Sequence, residues 1–150
     1  MTTATQAPAT GAKGHIDPAA AFVPVQTRSE RATSFDPERP AFDSAFAALV
    51  ARPDTFIAVA ELPTAAIAGY VLATSHLTLF ANGPVAWVEE LMVSPDERRV
   101  GVGDSLMQAA EDWAQDQGAA YVALATRRAA DFYKAIGYSE SAAFFRKVLG

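Results

Sequence analysis

The sequence predicts an α/β (α+β) domain, and three observations carry that reading. Short apolar runs punctuated by Pro, Gly and Asn fill the stretch 55–93; a strand, a glycine-rich turn and an amphipathic helix follow one another over 88–117; and the composition can build a core. At 150 residues and 51% hydrophobic content there is material for one globular domain. No apolar run approaches the roughly 20 residues that cross a bilayer, and the N-terminal stretch has no compact signal-peptide core. A cytoplasmic protein with no membrane contact is expected.

Composition removes several kinds of chemistry. Cysteine is absent, which excludes disulfides, a thiol nucleophile and thiolate zinc sites, and the two histidines, His15 and His76, are too few for an all-histidine metal site. No metal is expected. With 17 acidic against 12 basic residues the net charge is −5, so the chain lacks the basic surface that nucleic acid requires. A cationic partner is the easier one to accept.

Element by element, residues 1–21 are mostly Thr, Ala, Pro and Gly. They cannot bury enough surface to offset their ordering entropy and are expected to be a disordered tail, although a flexible partner-binding arm would have the same composition. Phe22 to Gln26 reads as a short strand and the following stretch to Pro40 as loop. Phe42, Phe46 and Leu49-Val50 fall at helical spacing within 41–51, before Pro53. Phe56–Ala60 and Ile67–Leu72 flank a Pro63-Thr64 turn as antiparallel strands, the second extending towards Leu79. Asn82-Gly83-Pro84 then turns the chain into a strand over 85–93 that Ser94-Pro95 ends. Leu106, Ala109, Ala110, Trp113, Ala114 and Gln117 trace one face of a helix that Gly118 can close. Tyr121–Ala125 reads as a buried strand, Ala129–Ala135 as a short helix before Gly137, and Phe144–Leu149 as a terminal strand.

The stretch that carries chemistry is strand Val88-Glu89-Glu90-Leu91-Met92-Val93, a Pro-containing connection, the turn Arg98-Arg99-Val100-Gly101-Val102-Gly103, and the helix that follows. The first amides of a helix have no intrahelical partner and carry the positive end of its dipole, so they can hold phosphate oxygens. Glycines let an anion approach the backbone, and Arg98 and Arg99 add charge, though an isolated arginine pair on a loop is as often merely solvated. A dinucleotide fingerprint fails because Leu106 stands where a third small residue is needed, and a P-loop fails for want of Gly-Lys-Ser/Thr.

With these residues in place, the sequence resembles the GNAT superfamily of N-acetyltransferases, whose phosphate loop reads Gln/Arg-x-x-Gly-x-Gly/Ala after a Pro-ended strand. Arg98, Gly101 and Gly103 match its fixed places. Ala129-Ala130-Asp131-Phe132-Tyr133-Lys134-Ala135-Ile136-Gly137-Tyr138 is similar to the second signature, Ala-x-x-x-Tyr followed by Gly-Phe/Tyr. The likeness covers about 55–149. It implies a three-layer fold, with a central, mostly antiparallel mixed sheet and helices on both faces, formed by residues 22–150 as a single N-acyltransferase domain.

The resemblance further implies acetyl-CoA as co-substrate. The expected contacts are Leu91, Met92 and Val93 along the pantetheine arm, Arg98, Arg99, Val100, Gly101, Val102, Gly103 and Asp104 around the phosphates, and Thr126 and Ala130 near the second signature. The family often has Asn where Thr126 stands; the Thr126 hydroxyl could replace it, or Arg127 and Arg128 could reach the phosphates instead.

The implied reaction is transfer of an acetyl group to a primary amine without a covalent intermediate. Tyr133 matches the family's general acid, although a tyrosine read in isolation is more often a packed aromatic. An amine of pKa about 10.4 is less than about a thousandth neutral at pH 7, so a base is needed, and Glu89 and Glu90 are the candidates, with Glu89 favoured. Strand alternation is expected to send these two to opposite faces. His76, Phe80, Trp87 and Tyr138 could line the acceptor pocket. The acceptor is a small-molecule amine or a peptide amine, leaving a protein N-acetyltransferase and a non-catalytic acyl-CoA sensor as alternatives. Exposed terminal strand edges would allow a homodimer.

Overall fold

The computed structural model describes residues 3–6 and 38–149. Five strands form one sheet in the order β1-β2-β3-β4-β5: β1 Thr3–Gln6, β2 Thr55–Glu61, β3 Ile67–Leu77, β4 Pro84–Val93 and β5 Val122–Leu124. The first four pair antiparallel and β5 joins β4 in parallel. Three helices accompany them among the described residues: α1 Arg39–Val50, α2 Val102–Asp116 and α3 Ala130–Ala135. The predicted α/β class and the mostly antiparallel mixed sheet are what the structure shows.

Alternation along the strands sorts the two sides of the sheet. Phe56, Ala58 and Ala60 of β2, Val71 and Ala73 of β3, and Ala86 and Val88 of β4 are buried beneath α2. That helix contributes Val102, Leu106, Met107, Ala110, Trp113 and Ala114, the stripe expected of a helix lying on a sheet. Alanines in the strands give the helix room to approach, and Trp113 fills the space this leaves by stacking on Phe56 at 5.3 Å between ring centroids. On the opposite side Ile57, Val59, Leu72, Thr74 and Trp87 are half-buried. Gly118 N–H donates to the Gln115 carbonyl and Ala119 N–H to that of Ala114, both at 2.9 Å, closing α2 as its sequence foretold.

Several expectations change. Thr3–Gln6, placed by composition in a disordered tail, pairs with Ala58–Glu61 along the edge of the sheet. A strand edge accepts any extended partner through backbone bonds alone, so low hydrophobicity is no bar to it. The strand expected at 22–26 lies outside the described residues. The terminal strand expected at Phe144–Leu149 does not form. Residues 139–149 carry no regular structure, and Phe145 is 89% exposed. Apolar residues make a strand only when an edge pairs with them, and none does so among the described residues. At this end, therefore, no strand supplies the edge on which a homodimer was expected to form.

Trp113 is 3% exposed and backs the whole helix–sheet contact. Trp113→Ala should lower unfolding free energy by about 4 kcal/mol, read as a fall in the urea midpoint at unchanged m-value.

Candidate active site

The parallel pairing of β4 and β5 is short. It starts where Ala120 N–H donates to the Pro84 carbonyl at 2.8 Å and its register runs from Ala86/Val122 to Val88/Leu124. Beyond Val88, β4 continues alone on that side from Glu89 to Val93, so its outer backbone edge has no strand partner among the described residues. The carboxyl ends of parallel strands, where pairing stops and the chain turns to helix, are where α/β sheets take up ligands.

At the far end of β4 the chain passes through a 3-10 turn, Pro95–Glu97, and reaches the glycine turn. Arg98 Nε donates to the Val93 carbonyl at 3.2 Å, folding its charge back over the strand end. Arg99 at φ 63° and Gly101 at φ 90° are both left-handed. Two such residues in three curl the backbone so that successive N–H groups converge on one concavity. Gly101 has open space around it, so conformation rather than room requires a glycine there. The first helical bond of α2 runs from Ser105 N–H to the Gly101 carbonyl at 3.0 Å, which leaves the amides of Val102, Gly103 and Asp104 ahead of the helical ladder. Amides at the N-terminus of a 15-residue helix beside two arginines fit a pyrophosphate.

The side chains of the turn divide by role. Val102 is buried in the core, Val100 is exposed, and Asp104 is an exposed acid in the first helical turn, favourable to the helix dipole but opposed to a phosphate, so only its amide could serve an anion there. At Gly103 the reason for glycine is room, since a Cβ there would lie 3.2 Å from Phe132 Cζ and 3.7 Å from Val93 Cγ2. This contact seats α3 against the turn. Leu91, Met92 and Val93 are half-buried along the unpaired edge.

Tyr133 follows Phe132 and is half-buried, edge-on to Phe132 at 5.0 Å and to Tyr138 at 5.8 Å. Burial raises its phenol above the ordinary tyrosine value. Among the described residues its hydroxyl has no hydrogen-bond partner. Tyr138 donates to Glu111 Oε1 at 2.8 Å, tying the chain after α3 to α2, and burial followed by the bond to Glu111 raises its phenol as well. Thr126 Oγ1 accepts from Ala129 N–H at 3.1 Å, so it shapes the entry to α3, whose first residue is the exposed Ala130. Arg127 and Arg128 are exposed, as are His76 and Phe80 at the β3–β4 hairpin, and Trp87 is half-buried in β4. No cluster of metal-ligating side chains occurs among the described residues.

The glutamate pair departs from expectation. β4 pairs Leu72 with Glu90 but Ala73 with Val88, so Glu89 is an extra residue in a bulge. Alternation breaks there, and the two carboxylates are not sent to opposite faces. Glu89 Oε1 accepts from Thr74 Oγ1 at 2.9 Å and Glu90 Oε2 from the Tyr70 hydroxyl at 2.7 Å. Tyr70 and Thr74 are four apart on β3 and share the side away from α2, so both glutamates stand on that side, at the point where β4 loses β5. Burial, and then the charge and hydrogen bond of Glu90, raise the Tyr70 phenol. Sequence reasoning missed Tyr70 and Thr74. Their common face was legible from spacing, but no signal placed the bulge opposite them.

The Acetyltransferase (GNAT) family pattern matches residues 23–138. Over 108 residues the chain is 33% identical to an aminoglycoside N(6')-acetyltransferase type 1 from Acinetobacter genomosp. 13, covering 68% of this chain and 70% of the relative. Among solved structures, a transcriptional regulator from Bacillus halodurans C-125 superposes with TM-score 0.79 at 18% identity, over 99% of this chain and 100% of that one. AAC(6')-Iy, in complex with the bisubstrate analog CoA-S-monomethyl-acetylneamine, superposes with TM-score 0.64 at 21% identity, over 75% and 82% of the two chains. These last two likenesses concern the fold. A family match over most of the chain, joined to the 33% identical relative, is decisive: the chain belongs to the acetyltransferase (GNAT) family and is an N-acetyltransferase, of a family that uses acetyl-CoA.

Proposed function

We propose that this chain acetylates a primary amine of a small polycationic acceptor by direct attack on acetyl-CoA, without a covalent enzyme intermediate. The observation that carries the acceptor class is the bulge at Glu89, which gathers two carboxylates on one side of the sheet where β4 loses its partner. Two anions side by side repel one another, and a cation with more than one ammonium group relieves that repulsion. The named activity of the 33% identical aminoglycoside acetyltransferase supports the same class.

The residues divide the work. The amides of Val102, Gly103 and Asp104, with Arg98 and Arg99, would hold the pyrophosphate, and the unpaired edge of Leu91–Val93 would take the pantetheine arm by backbone hydrogen bonds. When bound, acetyl-CoA supplies a thioester whose thiol, of pKa about 8.5, leaves far more readily than an amine. Glu89 is the base that takes the amine proton, directly or through water. Tyr133 returns a proton to the departing thiolate. A phenol of pKa about 10 gives it up against about 2 kcal/mol, and burial raises that figure without removing the proton at working pH. The carboxylates sit on β4 and the phenol on α3, so base and acid come from separate elements.

A thiol-release assay with acetyl-CoA against neamine, spermidine and a lysine peptide tests the acceptor class. Turnover of neamine or spermidine well above the peptide is expected, whereas preference for the peptide overturns the small-acceptor reading. Tyr133→Phe should lower kcat roughly 100-fold with acetyl-CoA affinity nearly unchanged. Gly101→Asp forces a side chain into a left-handed position and puts negative charge at the phosphates, so calorimetry should show no acetyl-CoA binding. The acid-competent form of Tyr133 is the protonated one and burial raises its pKa, so the alkaline limb of kcat should lie above pH of about 10 and vanish in Tyr133→Phe.

A further inference from the structure

The two glutamates are held by unlike donors. Glu90 receives the Tyr70 phenol at 2.7 Å and Glu89 the Thr74 hydroxyl at 2.9 Å. In each carboxylate one oxygen is engaged, and among the described residues the other has no protein partner. Tyr70 is half-buried, in register between Val59 of β2 and Met92 of β4, and offers a rigid anchor to a long acidic side chain that is itself exposed. The phenol reaches Glu90 from a rigid ring, and its bond is the shorter of the two. Identical side chains on adjacent positions are thereby held by different partners on β3.

We propose that Tyr70 is a positioning residue that holds Glu90 in place to dock a second ammonium of the acceptor, while Thr74 holds Glu89, the base of the proposed reaction. This rests on the reading of the paired carboxylates as the acceptor face. It makes β3 part of acceptor recognition.

The test is steady-state kinetics of the full chain with acetyl-CoA and neamine. Tyr70→Phe keeps the ring and removes only the donor. Its KM for neamine should rise roughly tenfold, the scale of one hydrogen bond to a charged group, with kcat within about twofold and acetyl-CoA affinity unchanged. The same substitution in a Glu90→Gln background should have no further effect on KM, because the carboxylate it serves is gone. Thr74→Val should instead lower kcat with little change in KM. A Tyr70→Phe enzyme with wild-type KM, a loss confined to kcat, or an equal loss in the Glu90→Gln background overturns the proposal while leaving the acetyltransferase reading intact. A wild-type chain that turns over other amines but not neamine overturns the acceptor reading, and this proposal with it.

Discussion

The register of β4 against β3 slips by one residue at Glu89, and the arrangement of the site follows from that slip. Before it, Ala86 and Val88 point down into the core beneath α2; after it, Leu91 and Val93 resume on the same side, opposite Val71 and Gly69. The extra residue is accommodated on the outer side, which is why two consecutive acids share one face. The bulge also falls where the parallel register with β5 ends, just past Val88. Bulges bend and twist a strand locally, and a strand that turns away from its neighbour exposes the backbone edge on which an extended ligand can lie. One inserted residue therefore sets both the face on which the two carboxylates stand and the backbone edge of β4 left open beyond β5.

The rest of the fold holds this break in place. Helix α2 is fixed to the sheet by apolar contact along its length, from Val102 and Leu106 near its start to Trp113 on Phe56 near its end. Its N-terminus has no side-chain cap, with Gly101 at the capping position. A helix that leaves its first amides without side-chain acceptors keeps donors that an anion can satisfy. The left-handed backbone at Arg99 is unfavourable for a residue with a Cβ, a local cost of the kind found where a backbone is shaped for a ligand. Phe132 against Gly103 then carries α3, and Tyr133 with it, to the turn.

Much of this was legible in the residues, and the reasons differ from element to element. The stripe of α2 was readable because it repeats at helical spacing over four turns, and Gly118 marked its end. The glycine turn was readable because a positive φ at 101 and a close approach at 103 admit few other residues. The bulge was not, because it depends on which residue of β3 faces which residue of β4, and two glutamates in a row look the same with or without it. Tyr70 and Thr74 were hidden for the same reason. Thr3–Gln6 was hidden because backbone pairing at an edge leaves no hydrophobic signature, and Phe144–Leu149 misled because apolar content suggests a strand whether or not an edge is there to receive it.

The proposed coenzyme site consists of the α2 amides, the two arginines and the free edge of β4. Isothermal titration of the purified chain with acetyl-CoA, and with CoA lacking the acetyl group, tests it most directly. One site per chain is expected for each, with dissociation constants on the order of micromolar, since both ligands carry the same pyrophosphate and pantetheine. Absence of binding by either would contradict it, leaving an acetyltransferase fold whose glycine turn holds no coenzyme.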